Sequence, residues 1–251
     1  MLIINADDLG SDRTCTNRIF DCYRNHRITS TTAMVFMKDT VRAAEIATAH
    51  GMHVGLHLNF TQKFDDAAGG ARLKYHQDKL MQFFKKSKYA RIIYNPVIKD
   101  SVAYSTISQY DEFMRVFKKK PTHIDGHHHM HLCTNIIIGK IFPKNTKIRP
   151  TFAGRKEEPI IGKVYRVIVN YLIRRRYATV ESSYKLMPTR GDYYFVEIVK
   201  KSLVNNVEVM THPALSEEYE YLKSDRYARL LSRATLGSYA SIRGPDDVWS
   251  S

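Results

Sequence analysis

The chain of 251 residues is 43% hydrophobic and 25% charged, a globular composition that excludes a collagen-like or disordered chain. Its length suits either one large α/β domain or two small ones, and its formal net charge of +14 allows nucleic acid, a membrane or an anionic substrate as partner. Because no apolar run approaches the ~20 residues that span a bilayer and the N-terminus lacks the pattern of a secretory signal, we expect a cytoplasmic protein without a membrane partner.

The basic residues and the cysteines show no motif for nucleic-acid binding or for Cys-x-x-Cys chemistry. Basic clusters such as Lys118–Lys120 and Arg174–Arg176 are not accompanied by a helix-turn-helix, zinc-finger or RNA-binding motif. Charge runs usually form solvated faces, so we expect no specific nucleic-acid partner. The cysteines, Cys15, Cys22 and Cys133, include no Cys-x-x-Cys pair, which predicts buried free thiols.

The first predicted strand begins the chain and carries two acidic residues at its end. Leu2 to Ile4 is apolar and leads into Asp7 and Asp8. Asp12 can cap a helix that runs to about His26. The next elements, in order, are a strand over 28–36, a helix that starts at Asp39 or Thr40 and ends by Gly51, and a strand over 53–61.

The strand over 53–61 alternates between polar and apolar positions. His53, Gly55, His57 and Asn59 share one face, and the apolar residues share the other. Residues 62–105 lose this alternation and contain breakers, which predicts an insertion or lid with one helix near 78–86. A helix over 108–120 then stops at Pro121.

The stretch from His123 to His131 contains five of the eleven histidines of the chain. In an extended segment, one face would present every second residue, namely His123, Asp125, His127, His129 and His131. A solvated histidine run or helical pairs four residues apart would be the structural alternatives. Because imidazole is the commonest metal ligand, we favour a metal site.

The remaining elements complete an alternating pattern of strands and helices. They are a helix over 135–142, a short strand end over 147–150, a basic helix over 157–176, a helix over 188–204, a strand over 207–211 and a helix over 217–234. Such alternation predicts a parallel sheet, and about seven such units favour a distorted (β/α) barrel. No composition shift marks a boundary, so residues 1–251 are expected to form one domain.

Ionisable side chains recur at the ends of these strands. They are Asp7, Asp8, His57, Asp125, His127, Arg149 and His212. Because active sites of parallel barrels form at the C-terminal strand ends, this distribution predicts a catalytic rim.

The motifs Asn-Ala-Asp7-Asp8-Leu-Gly, Gly-Leu-His57-Leu, the histidine run and Glu-Val-Met-Thr-His212-Pro together resemble the YdjC-like carbohydrate deacetylases, which include chito-oligosaccharide deacetylases. The resemblance implies a distorted barrel that removes acetate from N-acetylated sugars with one divalent cation. It further implies that Asp8, His57 and His127 hold the cation. Asp7 would then be the general base, His212 the general acid, and Arg149 the residue that orients the base.

The candidate site also leads to expectations about the cation, the binding partner and alternative functions. The resemblance implies Mg²⁺, whereas imidazole ligands favour Zn²⁺ or another transition metal. The expected partner is a small N-acetylated saccharide, and a homodimer is one oligomeric state to consider. Histidines 123, 129 and 131 would also suit a metal-dependent phosphoesterase. A non-catalytic nucleic-acid or metal-binding protein would have no use for Asp7, Arg149 and His212.

Overall fold

A single sheet of six parallel strands lies at the centre of the computed structural model, which describes residues 1–65, 69–86, 90–153 and 160–244. The strands are β1 (Leu2–Leu9), β2 (Ser30–Ala33), β3 (Val54–Leu58), β4 (Ile124–Gly126), β5 (Ser182–Lys185) and β6 (Val207–Thr211). Their spatial order is β4-β3-β2-β1-β6-β5, with every pair parallel.

The two edge strands of this sheet are joined through residues 147–152. The amide of Ile124 in β4 donates to Lys147 O at 2.8 Å, and Ile148 N donates to Ala178 O at 2.9 Å. An isolated parallel bridge connects Phe152 with Ser183 in β5. The sheet therefore curls into the expected distorted barrel, with six continuous strands in the described residues and a seventh segment reduced to isolated bridges.

Helices surround the sheet in the described part of the chain. They are α1 (Arg13–Arg24), α2 (Thr40–Ala49), α3 (Gly70–Lys86), α4 (Lys99–Phe117), α5 (Thr134–Gly139), α6 (Ile160–Arg174), α7 (Gly191–Ser202), α8 (Ser216–Lys223) and α9 (Asp225–Leu231). The side chain of Asp12 accepts a hydrogen bond from Cys15 N at 2.9 Å, as a helix N-cap does. None of the helices among the described residues is long and apolar enough to cross a membrane.

The two faces of the barrel strands differ in polarity. Leu2, Ile4 and Ala6 of β1 point outward into the main apolar core with the helices, whereas Asn5 and Asp7 point into the barrel. A small apolar cluster fills part of the interior, with Ile3, Ala178, Val180, Tyr239 and Ile242 as its buried members. The rest of the interior near the C-terminal strand ends is a network of buried polar side chains.

Several predicted boundaries differ from the structure. The helix expected over 108–120 begins already at Lys99. The single helix expected over 217–234 is two helices, because Ser224 is extended and caps α9 with its side chain. Strand β5 was not predicted, and the first residues of the helix expected over 157–176 lie outside the described residues. All three cysteines are buried and free, as expected.

The predicted histidine strand is wrong beyond Gly126. Residues His127–Leu132 form a 3-10 turn in which His128 and His129 have φ of 53° and 60°. A Cβ on Gly126 would lie 3.0 Å from both Leu58 O and His131 N, so the turn folds back closely onto β3. The five alternate side chains therefore do not share one face.

The insertion over 62–105 contains α3 and the first turns of α4, apart from residues 66–68 and 87–89, which lie outside the described residues. The two helices pack against each other. Gln77 of α3 and Gln109 of α4 both donate to Asn59 O at 3.1 Å. The insertion is thus attached to the C-terminal end of β3.

Candidate metal and catalytic site

Asp8, His57 and His127 come together at the C-terminal ends of β1, β3 and β4. Asp8 Oδ1 lies 3.1 Å from His57 Nε2 and 3.2 Å from His127 Nδ1. One ligand atom from each of the three residues lies within 4.8 Å of the other two, which is close enough to share one ion. The structure therefore assembles the three side chains that the sequence predicted as cation ligands.

An irregularity in β1 explains how two adjacent aspartates reach one site. The pairing register between β1 and β2 shifts between Ala6 and Leu9, and Asp8 has a φ of 73°. In a regular strand Asp8 would point outward, opposite to Asp7. A bulge with a left-handed residue re-aims the side chain, and aspartate tolerates that conformation better than most residues.

The ring of His57 is oriented by Asp125. His57 Nδ1 lies 2.7 Å from Asp125 Oδ1, and Thr32 Oγ1 donates to Asp125 Oδ2 at 3.0 Å. Burial alone lowers the pKa of His57, but the Asp125 and Asp8 carboxylates raise it well above its usual range. The surroundings thus favour a cation at this ring, either a proton on Nε2 or, in its place, a metal ion.

The other ring nitrogen of His57 is the test of whether a metal fits. Nε2 is buried and has no hydrogen-bond partner, although Asp8 Oδ1 is only 3.1 Å away. A histidine whose Nδ1–H is held by a carboxylate presents the Nε2 lone pair to a metal. This donor set therefore fits one divalent cation bound by Asp8, His57 and His127.

Arg149 is fully buried and binds three carboxylates. Its terminal nitrogens lie 2.7 Å from both oxygens of Asp7 and 2.7 Å from Asp125, and Nε donates to Glu208 at 2.9 Å. Burial alone raises the pKa of Asp7, but Arg149 holds it well below its usual range. Asp7 is therefore ionised, and its carboxylate is fixed beside His57 with Oδ2 4.0 Å from Nδ1.

A second alternative metal set, Asp7, His57 and Asp125, has its ligand atoms equally close together. Arg149 already occupies the carboxylates of Asp7 and Asp125, so a cation there would face a guanidinium. The set that contains Asp8 and His127 is therefore the better candidate for a cation.

His212 follows β6 and is held by Glu218 of α8. The His212 amide donates to Glu218 Oε2 at 2.7 Å, and its ring Nδ1 lies 3.9 Å from Glu218 Oε1. Burial lowers the pKa of His212, but the carboxylates of Glu218, Asp7 and Asp8 outweigh it and raise the pKa above its usual value. The surrounding carboxylates thus favour the protonated form of His212.

Three other histidines of the run have structural contacts. His123 stacks on Tyr239 inside the barrel with ring centroids 3.9 Å apart, and His131 Nε2 lies 3.1 Å from Arg149 O. His129 packs edge-on against Phe152. None of these three belongs to a metal-binding set among the described residues.

Two carboxylates of the site, Glu208 and Glu218, were not predicted to have a role, and Asp125 was predicted without its partner. Asp125 was placed on the rim, but its contact with His57 depends on the pairing of β3 with β4. Glu208 interrupts an apolar strand, which is a signal for an inward-facing charge, and it also accepts from Tyr239 at 2.7 Å. Glu218 lies on a surface helix and carries no such signal in the sequence.

Residues 1–235 match the family model described as YdjC-like protein. A chitooligosaccharide deacetylase of Yersinia enterocolitica (serotype O:8 / biotype 1B) is 25% identical over 265 residues, covering 96% of this chain and 92% of the relative. A protein of the same name from Yersinia pestis (strain Pestoides F) is 25% identical over 250 residues, covering 95% and 91%.

The barrel also resembles a solved structure. A crystal structure from Enterococcus faecalis V583, described as that of a cellobiose-phosphate cleavage protein, superposes with a TM-score of 0.70. The sequences are 19% identical, and the match covers 96% of this chain and 97% of the other. This likeness shows the shared fold.

Proposed function

Because this chain belongs to the family of YdjC-like proteins, we propose that it is a carbohydrate deacetylase that removes acetyl groups from N-acetylated sugars with one divalent cation. The observation that carries the proposal is the cluster of Asp8, His57 and His127 with an unpartnered Nε2, flanked by an ionised Asp7 and by His212. The names of the two Yersinia relatives support a chito-oligosaccharide or a similar substrate.

The cation and the protein would divide the chemistry of amide hydrolysis. A divalent cation held by Asp8, His57 and His127 would polarise the acetyl carbonyl and lower the pKa of water. Asp7 would accept the proton of the attacking water, with Arg149 fixing the orientation of its carboxylate. His212 would donate a proton to the sugar nitrogen, which is a poor leaving group until it is protonated.

Two considerations favour different cations for this site. Two imidazoles and one carboxylate favour Zn²⁺ or another transition metal, while the family resemblance implies Mg²⁺. Gln62 lies beside the site, with its amide nitrogen 2.9 Å from His127 Nε2, and can orient that ring. We propose that either cation is bound by the same three residues.

The insertion over 62–105 is a candidate cover for the saccharide. It begins at Gln62, beside His127. A cavity of about 320 Å³ opens between the loop at Lys63–Asp65 and α3. Leu73 and Gln77 contribute to its wall. We propose that this insertion acts as a lid of a single barrel domain formed by residues 1–251.

The function can be tested by measuring acetate release from N-acetylglucosamine oligomers. We expect release that stops after treatment with a chelator and returns when Mg²⁺ or Zn²⁺ is added. A generic phosphoester, assayed in parallel, should not be cleaved. Phosphate release without acetate release would replace the proposal with a metal-dependent phosphoesterase.

The cation ligands can be tested by metal analysis of purified variants. Asp8→Ala, His57→Ala and His127→Ala should each lose the bound metal because only three protein ligands are available. His129→Ala is the matched control, since that ring contacts Phe152 instead, and it should retain the metal. A full equivalent of metal in the triple Ala variant would place the site elsewhere.

A further inference from the structure

The helix α6 has two apolar faces, of which only one is buried in the barrel. Val169 and Ile173 pack into the core. The opposite side, here called the outer face of α6, consists of apolar side chains that are 43% to 77% exposed, namely Ile160, Val164, Val167, Ile168, Tyr171 and Leu172. Their spacing puts them on one stripe of the helix.

A surface helix normally presents polar residues to solvent. The apolar stripe on α6 therefore indicates that another surface binds there. Contiguous exposed apolar patches usually mark sites of association. Single exposed apolar residues occur elsewhere, but the outer face joins six of them along four turns of one helix.

The charge around the outer face of α6 distinguishes between two binding partners, a second copy of the chain and an anionic apolar surface. The helix α6 itself includes Lys163, Arg166 and Arg174 and no Asp or Glu; Arg175 and Arg176 follow it, and the nearest acidic residues in the sequence are Glu157, Glu158 and Glu181. Two copies of α6 packed face to face would therefore bring cations together without acidic partners in this stretch. An apolar surface with negative headgroups would instead match both the stripe and its charged margins, because Arg and Lys can extend from an apolar region to the polar boundary.

The outer face also lies beside the candidate site. Val167 and Tyr171 line a groove together with Phe152. Phe152 in turn contacts His129, in the same turn as the proposed ligand His127. A surface bound to α6 would therefore lie next to the rim of the barrel.

We propose that the outer face of α6 docks this protein on the surface of an anionic lipid bilayer. The helix would lie in the interfacial plane, with the apolar stripe in the acyl boundary and Arg174 and Arg175 among the headgroups. This goes beyond the proposed function and differs from the sequence-based expectation of no membrane partner. It concerns attachment to one leaflet and not a membrane span.

The proposal can be tested by co-sedimentation with phosphatidylcholine vesicles that contain or lack phosphatidylglycerol. We expect the full chain to bind only the anionic vesicles. Val164→Gln with Val167→Gln should weaken binding at least tenfold, and Arg174→Gln with Arg175→Gln should weaken it and reduce its salt dependence. The matched control is Leu203→Gln with Val204→Gln at the end of α7, where both side chains are also exposed, and it should bind like the wild type.

Two outcomes would overturn the proposal. Unchanged vesicle binding by the Val164→Gln and Val167→Gln variant would mean that the net charge of +14 alone attracts the protein to the vesicles. A dimer in light scattering that this variant dissociates would show instead that the face is covered by a second copy. Unfolding curves of each variant exclude misfolding as the cause.

The docking test is independent of the deacetylase test. Acetate release from soluble N-acetylglucosamine oligomers should be the same for the wild type and for the Val164→Gln and Val167→Gln variant. Loss of vesicle binding with intact acetate release supports the docking proposal by itself. Absence of acetate release in both proteins would count against the proposed function and leave the vesicle result unaffected.

Discussion

At the scale of single residues, Asp7 and Arg149 form the central ion pair of the barrel. The guanidinium binds both oxygens of Asp7 at 2.7 Å, and the two residues are 0% (Arg149) and 2% (Asp7) exposed. Such a bidentate pair fixes the carboxylate in position as well as in charge. The predicted role of Arg149 as the residue that orients Asp7 therefore has a direct structural basis, while the role of Asp7 as the base stays a prediction.

Replacing Asp7 tests that role. Asp7→Asn should retain the metal, because Asp7 is not one of the three proposed ligands, while kcat falls by ~10²–10⁴, the usual cost of losing general-base assistance. Metal content and acetate release would be measured on the same sample. Loss of metal together with activity would make Asp7 a ligand instead.

His212 is predicted to protonate the leaving amine. His212→Ala should keep the metal and the fold but cleave N-acetyl sugars poorly. An acetate ester with a phenolic leaving group needs no such proton, so its hydrolysis should be far less affected. Equal losses on both substrates would contradict the acid role.

Glu218 should set the pH at which that acid works. The Glu218 carboxylate helps to raise the pKa of His212, and an acid is active below its pKa and inactive above it. Glu218→Gln should therefore lower this pKa and move the alkaline limb of the kcat profile to lower pH. The matched control is Glu217→Gln, next to Glu218 but exposed, which should leave the profile unchanged. A loss of activity that is equal at every pH would show that Glu218 only supports the fold.

Among the secondary-structure elements, β3 and the segment before β4 approach closely because Gly55 has no side chain. Gly55 in β3 faces His123, which precedes β4, and a Cβ at Gly55 would lie 2.6 Å from His123 Nδ1 and 2.7 Å from His123 O. His123 stacks on Tyr239, whose hydroxyl binds Glu208. The close approach at Gly55 therefore supports His123, and through Tyr239 it helps to position Glu208, which binds Arg149.

Gly55→Ala should destabilise the protein. The added methyl group would force β3 away from His123, and such overpacking costs ~1–3 kcal/mol. Gly139→Ala is the control, because a Cβ there would meet only Ile141 at 3.5 Å, an ordinary contact. Urea unfolding of both variants measures the difference, and equal midpoints would refute the predicted clash.

At the scale of the whole molecule, negative charge is concentrated inside the barrel and positive charge outside it. The interior holds Asp7, Asp125 and Glu208 around Arg149, whereas the chain as a whole has a formal net charge of +14. The interior thus favours a cation and the exterior favours an anionic surface. The cytoplasmic location and the homodimer stay predictions.

The exterior charge should give only unspecific binding to duplex DNA. We expect weak binding that is lost by about 200 mM salt and shows no sequence preference, because phosphate contacts release counterions. Fluorescence anisotropy with two unrelated duplexes at several salt concentrations measures this. Tight binding that resists salt would favour a nucleic-acid partner instead.

Local patterns in the sequence were enough to predict the class of fold and most residues of the candidate site. Strands were predicted over 2–4, 53–61 and 207–211, where β1, β3 and β6 lie, because alternation and apolar runs are local properties of the chain. Their polar ends supplied Asp8, His57 and His212, and the motifs supplied the family, which the match over residues 1–235 confirms.

The contacts between these side chains depend on how the strands assemble. Strand β5 escaped prediction because it is short and half-polar, and the histidine strand was overextended because its end depends on a close approach to β3. Asp125 meets His57 and Arg149 meets Asp7 across 68 and 142 residues of sequence. Such pairs form only when the parallel strands align in register and the barrel closes, and no local pattern encodes that alignment.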